Sequence, residues 1–243
     1  MSGHSKWSTI KNKKEKADNK RAKIFTKIGK EILVAVKIAG NDPSINSKLK
    51  DVIIKAKANN VPMGNIERLI KKASKNENDK SFFNVSYEGY GPGGVAVLVN
   101  VITDNKNRTV ANLRHYFDKF GGNLAASGCV SYLFEKRGVI VLKVEKNRQD
   151  SLMEFCVEHS VIDCDIKENL AKVIVESEKF SFFVEKLKEK NYEFITADIE
   201  EISSSYVKIE DENNKEKMNK LIECLESDED VNEFFTNYEE LNI

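Results

Sequence analysis

No run of about 18 apolar residues occurs anywhere in the chain, so a membrane-spanning helix is not expected and neither is a membrane partner. The first residues lack the apolar stretch of a secretory signal. They are rich in lysine rather than arginine, unlike a mitochondrial presequence, so a cytoplasmic location is expected. Cysteine is sparse: Cys129, Cys156, Cys164 and Cys224 form no CxxC pair and have no metal-ligand spacing. Reduced thiols are therefore expected, with neither a disulfide framework nor a metal site. Histidine is sparser still, at His4, His115 and His159. His159 follows Leu152, Phe155 and Cys156 on an apolar stripe, which points to a core position rather than a Cys–His nucleophile. Phe180, Phe182 and Phe183 read as packing residues rather than a stacking platform. No acid–base pair accompanies any motif, so neither an enzyme nor a cofactor is expected.

Net charge is absent too, with 39 Lys/Arg against 39 Asp/Glu, but the zero hides an asymmetry. Residues 1–75 carry 19 basic and 6 acidic side chains, while the rest carries 20 and 33. A basic head on an acidic body confines any polyanion partner to one end. Cations are densest over residues 1–30, at Lys6, Lys11, Lys13, Lys14, Lys16, Lys20, Arg21, Lys23, Lys27 and Lys30, opposed only by Glu15 and Asp18. His4 and Trp7, the one tryptophan, sit inside this run, and stacking groups among cations suit unpaired bases. These twelve basic and aromatic residues are the expected nucleic-acid contact. A solvated basic tail is the plainer reading of such a run. Against it, Ile24, Phe25, Ile28, Ile32, Ala35 and Ala39 recur at helical spacing, with Lys16, Lys20, Lys23, Lys27, Lys30 and Lys37 on the other face.

The chain reads as α+β. A helix from about Asp18 to Gly40 is followed by one carrying Leu49, Val52, Ile53 and Ala56. A third carries Ile66, Leu69, Ile70 and Ala73, with Pro62 in its first turn. Ser74–Lys80 is polar and aperiodic, a linker. Period two then sets in at Phe83, Val85 and Tyr87, up to a turn at Gly89–Gly94. Val95–Ile102 reads as a strand covered on both faces, Thr103–Thr109 as a loop, Val110–Phe120 as a helix and Val130–Phe134 as a strand. Residues 136–203 follow the order βαββαβ, the ferredoxin-like arrangement. A helix over Glu212–Leu225 and a strand over Val231–Tyr238 remain. Because 82–135 lacks a second covering helix, these return to it. The expected domains are thus 1–75, helical and basic; 82–135 with 204–243, discontinuous; and 136–203, ferredoxin-like and inserted.

Two further anion contacts are conceivable from the motifs. Gly91, Gly93 and Gly94 could offer backbone N–H groups, although the loop lacks the lysine and the following helix of a P-loop and a plain strand turn explains it. Lys106 and Arg108 precede a helix start that could attract phosphate, although Asn105 there reads first as a cap. Nothing in the sequence resembles a base-reading device such as a zinc finger or an RNP motif. The lysine-rich, arginine-poor head fits structured RNA better than guanine reading in a DNA groove.

Several strings together resemble the YebC/PmpR family, which includes the mitochondrial translational activator of cytochrome oxidase. They are Gly3-His4-Ser5-Lys6-Trp7 with Ile10 and Lys11, Lys23–Lys27, Asn60-Val61-Pro62 with Asn65–Arg68, Tyr87–Val95, Thr103-Asp104-Asn105 with Asn107-Arg108-Thr109, and Phe120-Gly121-Gly122 with Leu124. Ser8, Thr9 and Ser74-Lys75 depart from the family pattern. The resemblance implies a helical domain followed by two α+β domains, cytoplasmic location and no enzymatic chemistry. It also implies one of two roles. The first expectation is a ribosome-associated translation factor that grips ribosomal or transfer RNA and helps elongation through proline-rich stretches. The alternative is a DNA-binding transcriptional regulator using the same basic face.

Overall fold

The computed structural model describes residues 17–75 and 82–239, with side chains from residue 23 onward. The linker expected at Ser74–Lys80 falls mostly outside them. Helix α1 (Ala17–Ala39) ends where glycine permits it: Gly40 has φ +86°, and its N–H donates to the Val36 carbonyl at 2.8 Å. Helix α2 (Ser47–Ala58) is capped by Asn46, whose Oδ1 accepts the Leu49 N–H at 3.0 Å. The Asn46 amide also donates to the carbonyls of Ala35 (2.9 Å) and Gly40 (2.7 Å), so one buried side chain starts α2 and ties down the end of α1. Helix α3 (Met63–Ser74) has Pro62 at its N-cap, one place earlier than expected. Ile28, Ile32, Ala35 and Val36 of α1 meet Leu49, Val52 and Ala56 of α2 and Ile66 and Ala73 of α3 in one apolar core.

Strands β1 (Phe83–Tyr90) and β2 (Ala96–Thr103) form an antiparallel hairpin, followed by α4 (Lys106–Lys119) and the short β3 (Asn123–Ala125). Next come β4 (Phe134–Lys143), α5 (Gln149–Glu158), β5 (Asp163–Lys167), β6 (Leu170–Glu176), α6 (Phe180–Glu189) and β7 (Glu193–Ser203). Helix α7 (Glu212–Ser227) and β8 (Val231–Thr236) close the order. The result is the expected α+β class, three helices and then two four-stranded sheets.

The first sheet runs β3-β1-β2-β8 and takes its edge strand from beyond the second sheet. Val97, Val99 and Val101 of β2 point to a core with Leu113, Phe117, Met218 and Leu221, from α4 and α7. Ala96 and Leu98 point the other way, to Val130 and Phe134. Burial on both faces is why this strand reads as an unbroken apolar run. The second sheet runs β5-β6-β4-β7, with Leu152, Phe155, Phe180, Phe183 and Leu187 of its two helices packed on Ile140, Leu142, Val173 and Val175.

Two expectations need correction. Val130–Phe134 is not a strand: Ser131–Leu133 is a 3-10 turn, and β4 begins at Phe134. The reason is Glu88, whose carboxylate accepts the N–H groups of Gly128 (2.7 Å), Val130 (2.7 Å) and Ser131 (2.9 Å), leaving them unavailable to a ladder. Strand β3, paired with Glu88–Tyr90, was not foreseen, because three residues show no period.

By contacts the described residues form two compact units, 82–135 with 201–239 and 17–75 with 136–200. Within the second, a buried charge node joins α1, α2 and β7. The Lys55 Nζ lies 2.9 Å from Glu31 Oε1 and 2.9 Å from Asp198 Oδ2. Ser181 Oγ donates to Asp51 Oδ1 at 3.4 Å, and Ile54 and Ala58 pack against the second sheet's core. The three-helix head is thereby seated on the ferredoxin-like sheet chiefly through α2.

Candidate nucleic-acid interface

Helical geometry places Lys20, Lys23, Lys27 and Lys30 within one sector of α1, over about 15 Å of its length. The core residues Phe25, Ile28, Ile32 and Ala35 lie about 100–180° round the helix from the middle of that sector. Lys23 is exposed, and Lys27 and Lys30 are half-buried. The apolar stripe is narrower at its ends than expected: Ile24 is 36% exposed, Ala39 is exposed, and Val34 and Val36 are buried instead. His4, Lys6, Trp7, Lys11, Lys13, Lys14 and Lys16 lie outside the described residues. Lys20 and Arg21 are placed only as positions on the helix.

The glycine-rich turn is built for close packing. A Cβ on Gly91, which is buried, would meet the Met218 sulfur at 2.8 Å, and one on Gly89 would meet the Asn123 carbonyl oxygen at 2.6 Å. Gly93 has φ +73° with Ile209 2.9 Å from where its Cβ would sit; Gly94 has φ +76° and open space. Gly91 is therefore withdrawn as an anion contact, because burial against α7 leaves it no approach. Gly93 and Gly94 stay exposed. The polar residues of the same motif also face inward. Tyr90 donates its hydroxyl to the Cys129 carbonyl at 2.9 Å, and Glu88 grips the 128–131 backbone. Burial pushes the Glu88 carboxyl up, but the N–H groups of Gly128, Val130 and Ser131 outweigh it and hold it below the usual carboxylate range.

Arg108 stays exposed but is paired: its Nη2 lies 2.7 Å from Asp230 Oδ2 and 2.9 Å from Asp104 Oδ1, so two carboxylates offset its charge. Thr109 Oγ1 donates to the same Asp230 oxygen at 2.8 Å, and Asn105 Oδ1 caps α4 by accepting the Arg108 N–H at 3.0 Å. The TDNKNRT string is thus a clasp between α4 and β8, extended by Tyr116, which donates to Asp228 at 3.0 Å. Burial and that bond push the Tyr116 phenol up to about 12. Lys106 lies 4.5 Å over the ring of Phe83, on the surface.

One cationic surface was missed. Arg68, Lys71 and Lys72 of α3 and Lys75 at its C-cap line an open concavity of about 470 Å³, together with Gly64 and Glu67. They repeat at i, i+3, i+4 and i+7, two positions out of phase with Ile66, Leu69, Ile70 and Ala73. The signal was legible, but the apolar half of the same period was read without its charged complement.

Among the described residues there is no group of three or more His, Cys, Asp or Glu side chains placed to hold a metal, and no helix long and apolar enough to cross a membrane. His159 packs on Phe155, with ring centroids 4.4 Å apart.

Residues 5–76 match the family description "TACO1/YebC protein N-terminal domain", and residues 82–238 match "TACO1/YebC second and third domain". A relative from Ruminiclostridium cellulolyticum described as "Probable transcriptional regulatory protein" is 52% identical over 227 residues, 93% of this chain and 92% of its own length. Another with the same description, from Caldicellulosiruptor bescii, is 46% identical over 99% of both chains. Among solved structures, a conserved hypothetical protein of Aquifex aeolicus superposes with a TM-score of 0.84 at 40% identity, covering 98% of this chain and 100% of that one.

Proposed function

The chain belongs to the TACO1/YebC family, and we propose that it is a non-enzymatic, nucleic-acid-binding regulator of gene expression that acts in the cytoplasm through its basic helical head. The observation that carries this reading is the confinement of excess positive charge to residues 1–75, with a lysine sector on α1 opposite the side that packs. The relatives' description as transcriptional regulators favours duplex DNA as the target. That reverses the order reached from sequence, where the ribosome came first. The ribosomal reading, including help through proline-rich stretches, stands second. What favours it is the scarcity of arginine in the head, which suits phosphate neutralisation on structured RNA better than guanine reading.

The deciding experiment sets full-length protein against a genomic DNA fragment library and against purified ribosomes at about 150 mM salt, where non-specific phosphate binding is weak. Footprints on particular duplexes support the regulator of transcription. Co-sedimentation with ribosomes and crosslinks to ribosomal RNA, with no protected duplex, support the second reading instead. Retention of all nucleic-acid binding after Lys13, Lys14, Lys20 and Lys27 are changed to glutamate would defeat both.

A further inference from the structure

We infer that the outer face of α3 is a second phosphate-contacting surface, where Arg68, Lys71 and Lys72 hold the backbone of the same nucleic acid that α1 engages. The inference rests on the proposed nucleic-acid role and adds to it a surface on a different helix. Helix α3 is divided by its own period. Ile66 and Ala73 are buried, Leu69 and Ile70 pack beside them, and the residues out of phase with that stripe are cations. From residue 68 to residue 75 the stripe covers about 10 Å of helix axis, the span of about three phosphates on one strand.

Pairing separates these cations from others in the fold. Lys55 and Arg108 are neutralised by carboxylates at 2.7–2.9 Å. Among the described residues, no carboxylate forms an ion pair with Arg68, Lys71 or Lys72, and the Arg68 guanidinium reaches only Asn65 Oδ1, at 3.4 Å. Glu67 is the one acidic residue lining the concavity, against four cations. Three like charges without an ion-pair partner, on Arg68, Lys71 and Lys72, lose stability by self-repulsion unless a polyanion joins them. The described lining comes from one helix, an open shelf that suits a passing chain better than an enclosed small molecule. None of those residues is aromatic, so the contact positions the polymer without reading its bases.

The test measures affinity against salt for the full-length protein, using a labelled DNA duplex and a labelled RNA hairpin of matching length as probes. Removing three phosphate contacts by R68Q/K71Q/K72Q should lower the log–log salt slope by about 2–3 on whichever probe binds. That corresponds to roughly 16–64-fold less affinity lost over a fourfold rise in salt. The fall should be the same for probes of different sequence. E67Q, which removes the opposing charge, should bind a few-fold tighter. All four positions lie on the surface of α3, and an unchanged circular-dichroism melt would confirm that the variants fold. If the wild type binds and the triple variant keeps its slope, this inference fails while the α1 reading survives. If the wild type binds neither probe, the nucleic-acid role itself fails. Loss of binding to phosphatidylserine vesicles with an unchanged nucleic-acid slope would assign the shelf to a lipid surface and overturn the proposal.

Discussion

Replacing Lys55 with methionine isolates what seats the helical head. Its ammonium sits between two carboxylates, each 2.9 Å away, and the three side chains are only 9–13% exposed. At an effective dielectric of about 20, each contact is worth roughly 6 kcal/mol of attraction before desolvation. Burial of the ions offsets most of that. Methionine keeps the volume and removes the charge. Two buried carboxylates then remain no more than about 6 Å apart, repelling by about 3 kcal/mol on the same scale. Measured losses on breaking a buried pair run to about 3–5 kcal/mol. Asp198 keeps the Ile199 N–H on Oδ1 at 2.9 Å, which places the expected loss near 3 kcal/mol. Urea unfolding followed by far-UV circular dichroism reads it as a lower midpoint for K55M. The neutralised variant E31Q/K55M/D198N should recover most of the loss, since a buried ion pair replaced as a whole by neutral groups is often neutral in cost. A K55M midpoint within 0.5 kcal/mol of wild type, on the conventional scale of surface substitutions, would refute the reasoning.

Other perturbations separate structural residues from binding ones. Glu88→Gln should cost about 2 kcal/mol, because a neutral amide accepts the 128–131 N–H groups more weakly than a carboxylate. Since the Glu88 carboxyl is held low in the folded protein, its contribution is fully present above about pH 4.5, the unfolded value. It is lost as pH falls through the folded value, so thermal melts at pH 7 and pH 3 should show a smaller acid loss for E88Q. Gly89→Ala drives a Cβ into the Asn123 carbonyl oxygen and the Phe117 ring and should cost about 3 kcal/mol in a urea melt. Gly94→Ala, strained only by its φ, should cost about 1 kcal/mol. Asn105→Ala should cost about 1 kcal/mol as a lost cap. Arg108→Met should destabilise the β8 clasp yet leave the salt slope of nucleic-acid binding unchanged; a slope reduced by about 1 would show that Arg108 also meets phosphate.

What the sequence revealed follows from the range of the interactions involved. Helices α1 to α3 and the βαββαβ order were legible because each is set by local period and by punctuation such as Gly40 and the Asn59-Asn60 pair. Strand β2 was legible because burial on both faces leaves few polar positions. The 130–134 segment failed because Glu88, more than 40 residues earlier in the chain, claims its N–H groups, and local β-propensity does not register a distant acceptor. Lys55 was invisible for a related reason: among 19 cations in the basic head, nothing local marks Lys55 as the partner of two buried carboxylates.

Motif density and contact chemistry have parted company in this chain. The glycine-rich YEGYGPGG string and TDNKNRT look like ligand loops, but Glu88, Arg108 and Thr109 are satisfied within the fold, by the 128–131 backbone and by Asp230, while Lys106 stays on the surface. Residues that complete a fold in this way have no electrostatic capacity left for a partner. Among the described residues, cations outnumber carboxylates and helical phase turns them away from the core on the outer sides of α1 and α3, and on α3 Arg68, Lys71 and Lys72 have no ion-pair partner. The two helices pack in one core, so their cationic stripes are held at a fixed separation before any polymer arrives. Binding along both would then cost little ordering of the protein, and its strength would be set by how well the phosphate spacing of the partner matches that separation. A partner with a deformable backbone would adapt to the gap; a stiff duplex would be accepted only where its geometry already fits.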